Sequence, residues 1–290
     1  ITNTWWTTCS TFAAAATTSI PRFSDSSLGK VTISTLDKKK AAGEKFVCIT
    51  AYDATFARVI SEAGAETILV GDSLGMVLQG HDSTIPVTIE HMGYHTECVS
   101  RAAPDSLVMA DMPFMTYSTP EQAMENATHL MQAGAQMVKM EGGTWLSDTI
   151  SMLVERGVPV CAHLGLTPQS VNAFGGFKVQ GRTPKEAKSI LADAVEIQDA
   201  GASLLVLECV PSNLASDISR KLDIPVIGIG AGPGTDAQVL VMHDLLGLSD
   251  HTARFVQNFM DGQSTIQGGL KAFVDAVKAG DYPREEHSYT

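Results

Sequence analysis

The chain has 290 residues, 44% of them apolar and 18% charged, a composition able to bury a large core in one α/β domain. A formal net charge of −12 argues against a polyanionic partner, so no nucleic-acid interface is expected. No run approaches the roughly 18 consecutive apolar residues of a membrane span.

The first 27 residues are rich in Thr, Ser and Ala, with Arg22 as their one basic residue. They lack a basic start and a long apolar run, so they read as a flexible extension rather than a secretory signal. Residues 28–290 are expected to form a single domain. "DKKK" (37–40) reads as a solvated helix face rather than a nucleic-acid patch. The five cysteines, Cys9, Cys48, Cys98, Cys161 and Cys209, are odd in number and contain no C-x-x-C pair. That pattern fits reduced, mostly buried thiols of a cytoplasmic protein better than a disulfide frame or zinc site.

From residue 46 onward, β-rich runs alternate with helical patterns. The runs are "FVCITAYD" (46–53), "TILVGDS" (67–73), "LVMADMPF" (107–114), "MVKMEGG" (137–143), "PVCAHLGL" (159–166), "LLVLECV" (204–210), "PVIGIGAG" (225–232) and the less distinct "QVLVMH" (238–243). Strands this apolar belong to a sheet covered on both faces, hence to parallel strands with helical crossovers. Such units predict a (β/α)8 barrel, with an open doubly wound sheet as the alternative. Two helices carry clear start signals. One has Thr119 as N-cap, Pro120 in the first turn and Gln122 at the capping-box position, and the other repeats this with Thr183, Pro184 and Glu186.

Aligning the units exposes a repeat: "EAGAETILVGD", "QAGAQMVKME" and "DAGASLLVLE" each run from helix end through A-G-A into an apolar strand that closes on an acid. In a barrel those acids, Asp72, Glu141 and Glu208, reach the C-terminal mouth, where active sites lie, together with Asp111 from "MADMPF". Converging carboxylates need neutralisation. Lys139, two residues before Glu141, shares its face of the strand. A hard divalent cation is the second candidate, since Mg2+ is held by one or two carboxylates plus waters and substrate oxygens. A spare carboxylate in an apolar setting has a raised pKa and suits a general base, which points to proton abstraction beside a carbonyl. Each acid also has a plainer reading, with Asp72 or Asp111 as a cap and Glu141 or Glu208 as an ion-pair partner of Lys139. His163 can contact substrate or serve structurally. His81, His91, His95, His129, His243, His251 and His287 have no ligand spacing. "GIGAGPG" (228–234) lacks the lysine and Ser/Thr of a phosphate loop, so a tight turn is expected there.

Taken together, "ITAYD", "VGDSLGMVLQGHDSTIPVT", "ADMPFMTY", "VKMEGG", "PVCAHLGLTPQSVNAFGGFKVQGR", "LLVLECVP", "IPVIGIGAG" and "YPREEHSY" resemble the ketopantoate hydroxymethyltransferase family from about residue 30 to the C-terminus. The resemblance implies transfer of a one-carbon unit from 5,10-methylenetetrahydrofolate to 3-methyl-2-oxobutanoate, giving 2-dehydropantoate for pantothenate and coenzyme A synthesis. It implies Mg2+ at Asp72 and Asp111, with Glu141 reached through water. It assigns Ser73 and Lys139, with Asp72 and Asp111, to the keto acid and Glu208 to the catalytic base. It also implies a fold similar to the phosphoenolpyruvate mutase and isocitrate lyase group, and a homo-oligomer, a decamer in bacterial members. Two other readings stay open: a Schiff-base keto-acid aldolase using Lys139, and a non-catalytic barrel that binds a keto acid.

Overall fold

The computed structural model describes residues 29–250 and 252–290. Its strands are β1 (Phe46–Thr50), β2 (Thr67–Val70), β3 (Leu107–Asp111), β4 (Met137–Glu141), β5 (Val160–Gly165), β6 (Leu204–Glu208), β7 (Val226–Ile229) and β8 (Ala237–Leu240). Each pairs in parallel with the next, and β8 returns to β1, closing a barrel in chain order. The barrel expectation holds, and the open sheet is excluded. The expected N-terminal extension and Cys9 lie outside the described residues. Cys48, Cys161 and Cys209 are buried, Cys98 is half-buried, and all four are free thiols. Among the described residues no helix is long and apolar enough to cross a membrane.

The strands are shorter than the apolar runs, mostly because the chain leaves the ladder at the C-terminal rim. Asp53 of "FVCITAYD" is the N-cap of helix Ala54–Glu62, its Oδ1 accepting from the amides of Thr55 and Phe56 at 2.8 and 3.0 Å. The weakest run, "QVLVMH", gives a strand only to Leu240. Met242–Leu245 then forms a helical turn whose first amide donates to Thr50 Oγ1 at 2.9 Å.

Capping follows the sequence with one correction. Thr183 and Glu186 form the full reciprocal box on helix Pro184–Asp199. On helix Pro120–Gln132, Thr119 accepts from the Gln122 amide, but Gln122 Oε1 turns to the Ser118 amide and hydroxyl instead of closing on Thr119. One crossover also departs from the strict alternation of strand and helix. Residues 230–236 carry β7 to β8 with no helix between them. Gly230 and Gly232 take φ of +60° and +75°, and a Cβ at Gly232 would meet Ser212 Cβ at 2.5 Å. The glycine-rich segment makes the tight connection expected there.

Two apolar layers fill the domain. The barrel interior holds Phe46, Cys48, Met109, Met137, Cys161 and Leu204, and the larger layer lies between strands and helices. Helix Ile33–Ala42 plugs the N-terminal end, with Leu36 fully buried among the interior residues. "DKKK" is on this helix but is only partly solvated. Lys40 donates to Asp236 Oδ2 at 2.7 Å and to Ser219 O at 2.8 Å, and Lys39 sits 3.3 Å from the buried Glu66. Those contacts tie the plug to the residues just before β8 and β2. Leu36→Ala should therefore lower unfolding free energy by about 2–5 kcal/mol. Urea titration would measure this, and turnover at 25 °C should be kept because the plug lies opposite the mouth.

Candidate active site

Parallel strands bring all their C-terminal ends to one rim, and the candidate residues collect there. Asp72 and Ser73 follow β2, Asp111 ends β3, Lys139 and Glu141 lie on β4, His163 on β5, and Glu208 ends β6. Register sets the neighbours: Asp111 is opposite Lys139, Glu141 opposite His163, and Gly165 opposite Glu208. All seven side chains line one cavity of about 520 Å³, whose deeper wall includes the apolar Leu69, Val206, Ile229 and Val239.

The polar contacts form a chain across this cavity. The Lys139 ammonium donates to Asp111 Oδ1, and its Nζ is 3.8 Å from Glu141 Oε1, so the shared face expected of these two β4 residues is observed. Asp111 Oδ2 accepts from the Asp72 amide at 2.9 Å. Glu141 Oε1 has no hydrogen-bond donor, although His163 Nδ1 stands 3.3 Å away, and His163 Nε2 stands 3.3 Å from Glu208 Oε2. Both contacts are ion-pair approaches without a well-aligned N–H.

These contacts set the protonation states. Burial works to lower the Lys139 pKa, but the carboxylates of Asp111, Glu141 and Asp72 outweigh it, so the ammonium is held. Burial, with the charges of Asp111 and Glu141, drives the Asp72 carboxyl well above the usual range. For Glu141 burial acts upward, but His163, Lys139 and the Gln169 amide together hold it low. His163 is lowered by burial and Lys139, yet the flanking carboxylates bring it to about 9. Even with His163 protonated, the four acids have only two cations, and two carboxylates stay unmatched. Asp72 registers that surplus.

The plainer readings of Asp72 and Asp111 as simple caps do not match these contacts. Glu208 differs from expectation in another way. Lys139 turns to Asp111 and Glu141, so Glu208 is not its partner. The side chain of Glu208 keeps 15% exposure and faces His163 instead of a purely apolar wall. Immediately after it, Cys209 adopts φ +47°, an uncommon conformation for a residue with a side chain, and its amide donates to Ile229 O at 2.8 Å. Ser73 Oγ lies 2.9 Å from the Tyr52 hydroxyl at the cavity edge.

The chain matches the family model described as ketopantoate hydroxymethyltransferase over residues 30–285. It is 59% identical over 262 residues to the 3-methyl-2-oxobutanoate hydroxymethyltransferase of Shewanella denitrificans, covering 90% of this chain and 99% of that protein. The chain belongs to the ketopantoate hydroxymethyltransferase family. Its enzymatic class is thereby that of the hydroxymethyltransferases. Solved structures add the fold relationship. A phosphonopyruvate hydrolase complexed with oxalate and Mg2+ superposes with TM-score 0.55 at 13% identity, over 73% of this chain and 80% of that one. A 2,3-dimethylmalate lyase, described as a phosphoenolpyruvate mutase/isocitrate lyase superfamily member, superposes with TM-score 0.55 at 19% identity, over 72% and 80%. The barrel fold of these solved structures is the fold observed here.

One residue of this family member has no motif that marks it in the sequence. Gln169 is 4% exposed, in the short 3-10 turn Pro168–Ser170 after β5. Its Nε2 donates to Asp72 Oδ2 at 2.8 Å and Met112 O at 2.9 Å, and its Oε1 accepts from the Tyr117 hydroxyl at 2.5 Å. Its amide N–H donates to Glu141 Oε2 at 3.0 Å. The side chain uses both amide ends and so ties the loops after β2, β3 and β5. The only sequence signal was its place in "GLTPQS", directly after a strand at the mouth. Gln169→Leu would leave the Tyr117 hydroxyl and Asp72 Oδ2 without this partner. At about 1–3 kcal/mol per orphaned buried group, it should lower the urea midpoint more than Tyr117→Phe does.

Proposed function

We propose that the chain transfers a hydroxymethyl group from 5,10-methylenetetrahydrofolate to 3-methyl-2-oxobutanoate, giving 2-dehydropantoate for pantothenate synthesis. The observation carrying this reading is the convergence of Asp72, Asp111, Lys139, Glu141, His163 and Glu208 on one cavity in a chain of this family. In the balanced reaction both C–N bonds to the donor methylene break while one C–C and one C–O bond form. Water supplies the hydroxyl, and the two donor nitrogens end with the C3 proton and one proton from water.

A divalent cation fits the donor set. Among the described residues no three Asp, Glu, His or Cys side chains form a ready metal cage. Mg2+ does not need one, because one or two carboxylates with waters and substrate oxygens suffice. The unmatched carboxylates and the orphaned Glu141 Oε1 are the features a dication would relieve. Asp72 and Asp111 would hold it and Glu141 would face it. When bound it supplies Lewis-acid polarisation of the keto-acid oxygens.

Glu208 accepts the proton from C3. Among the four acids it is the one facing neither Lys139 nor Gln169, and it is the most open to an incoming substrate. His163 stands between two carboxylates, its Nε2 3.3 Å from Glu208 Oε2 and its Nδ1 3.3 Å from Glu141 Oε1, so its charge acts on both. Lys139 offers positive charge to the developing oxyanion. Its ammonium is stabilised by three carboxylates, which disfavours the neutral amine a Schiff-base nucleophile requires. The non-catalytic alternative leaves Glu208 at the cavity wall without a task. The four free thiols among the described residues and the biosynthetic reading support a reducing, cytoplasmic setting, and a homo-oligomer in the form of a decamer belongs to the same proposal.

The purified chain should form 2-dehydropantoate from the two substrates with Mg2+. Glu208→Gln should lower kcat by about 10²–10⁴-fold, the range for removing a general base. No product from the wild type under these conditions would overturn the assignment. Mg2+ at about 100 times its Kd should stabilise the wild type by about 2.7 kcal/mol, read as a rise in thermal midpoint. Asp72→Asn with Asp111→Asn should remove that rise.

A further inference from the structure

Glu208 lines two cavities. On its second side lies a space of about 330 Å³ bounded by Leu166, Phe177, Cys209, Phe255 and Tyr289, with Lys178 at its edge. Phe177, Glu208, Ala253 and Phe255 border this space and the main cavity alike, so the two meet at the carboxylate. Phe255 is a fixed wall. Its carbonyl accepts from the Tyr282 hydroxyl at 2.5 Å, and its ring stands where a Cβ at Gly230 would approach to 2.7 Å, so only glycine leaves room for it.

The rim of this cleft is cationic in a chain of net charge −12. Arg254 lies over the Tyr289 ring, 6.0 Å from its centroid, and Arg182 is near enough to act on the Tyr289 hydroxyl. Lys178, Arg182 and Arg254 are exposed, and none makes an ion pair among the described residues. Arg254 Nε and Lys178 Nζ donate only to the carbonyls of Glu286 and Phe174, at 2.8 and 2.9 Å. Aromatic walls accept a flat ring, and unpaired cations at the outer edge accept carboxylates.

We propose that this cleft seats the one-carbon donor, with its planar pteridine between the aromatic walls and its glutamate tail toward Arg182, Arg254 and Lys178. The inference rests on the reading of the main cavity as the keto-acid site. The carbon that loses its proton to Glu208 must be the one that receives the methylene, so the donor has to reach Glu208. A third cavity, of about 280 Å³, lined by Phe114, Tyr117 and Trp145, is aromatic too, but it borders Glu141 rather than Glu208 and has no cationic side chain in its lining.

Steady-state kinetics on the full chain, with 5,10-methylenetetrahydrofolate carrying one or three glutamates, test this. Replacing Arg182 and Arg254 together by Gln should raise the donor KM about tenfold, and further for the triglutamate, with kcat and keto-acid KM within about twofold of wild type. The Arg→Lys pair should recover most of the loss, and an unchanged thermal midpoint would show that both variants fold. A donor KM that moves less than about threefold for either donor would overturn the cleft assignment while the proposed reaction stands. Failure of the wild type to turn over at all would instead overturn the reaction on which the assignment rests.

Discussion

The mouth of this barrel depends on a charge imbalance. Asp72, Asp111 and Glu141 are each buried to within 5% exposure, and the ammonium they share is that of Lys139. Buried carboxylates in such a setting must be paired, protonated or bound to a cation. Lys139 answers for Asp111, and His163 with the Gln169 amide answers for Glu141. Asp72 is left with a neutral amide donor and a raised pKa. Such a site suits a dication better than a second lysine, because a hard cation brings open positions where a substrate can add its own oxygens.

The fold sustains the imbalance by making it geometrically unavoidable. A closed parallel barrel sends every strand toward one rim, and register then sets Asp111 beside Lys139 and Glu141 beside His163. Gln169 locks the loops around them, and its two-ended amide discriminates a donor side from an acceptor side. At the far end, Lys39 and Lys40 tie the plugging helix to Glu66 and Asp236, so stability and chemistry occupy opposite ends of the same strands.

Much of this is legible in the amino-acid sequence. The apolar runs and the A-G-A repeats located all eight strands, because burial on both faces leaves a signature in every residue of a strand. The strand-terminal acids were legible because an acid closing an apolar run is rarely accidental. Strand ends are shorter than the apolar runs suggest, since "AYD" and "GAG" leave the ladder only through caps and glycine geometry that apolar content does not encode. Gln169 was missed because a glutamine in a short turn has no periodicity to give it away. The partner of Glu208 was missed because the pairing with His163 depends on the offset of β6 against β5, which no single strand records. The open, His163-facing setting of Glu208 is thus a property of assembly.

Glu208 accepting a proton from the carbon next to a carbonyl is the central claim, and it can be isolated from folate chemistry. Deuterium exchange at C3 of 3-methyl-2-oxobutanoate, followed by NMR in heavy water without any one-carbon donor, measures it directly. The account predicts exchange that requires Mg2+ and collapses in Glu208→Gln. Exchange that persists unchanged in that variant, or that ignores a chelator, would contradict it.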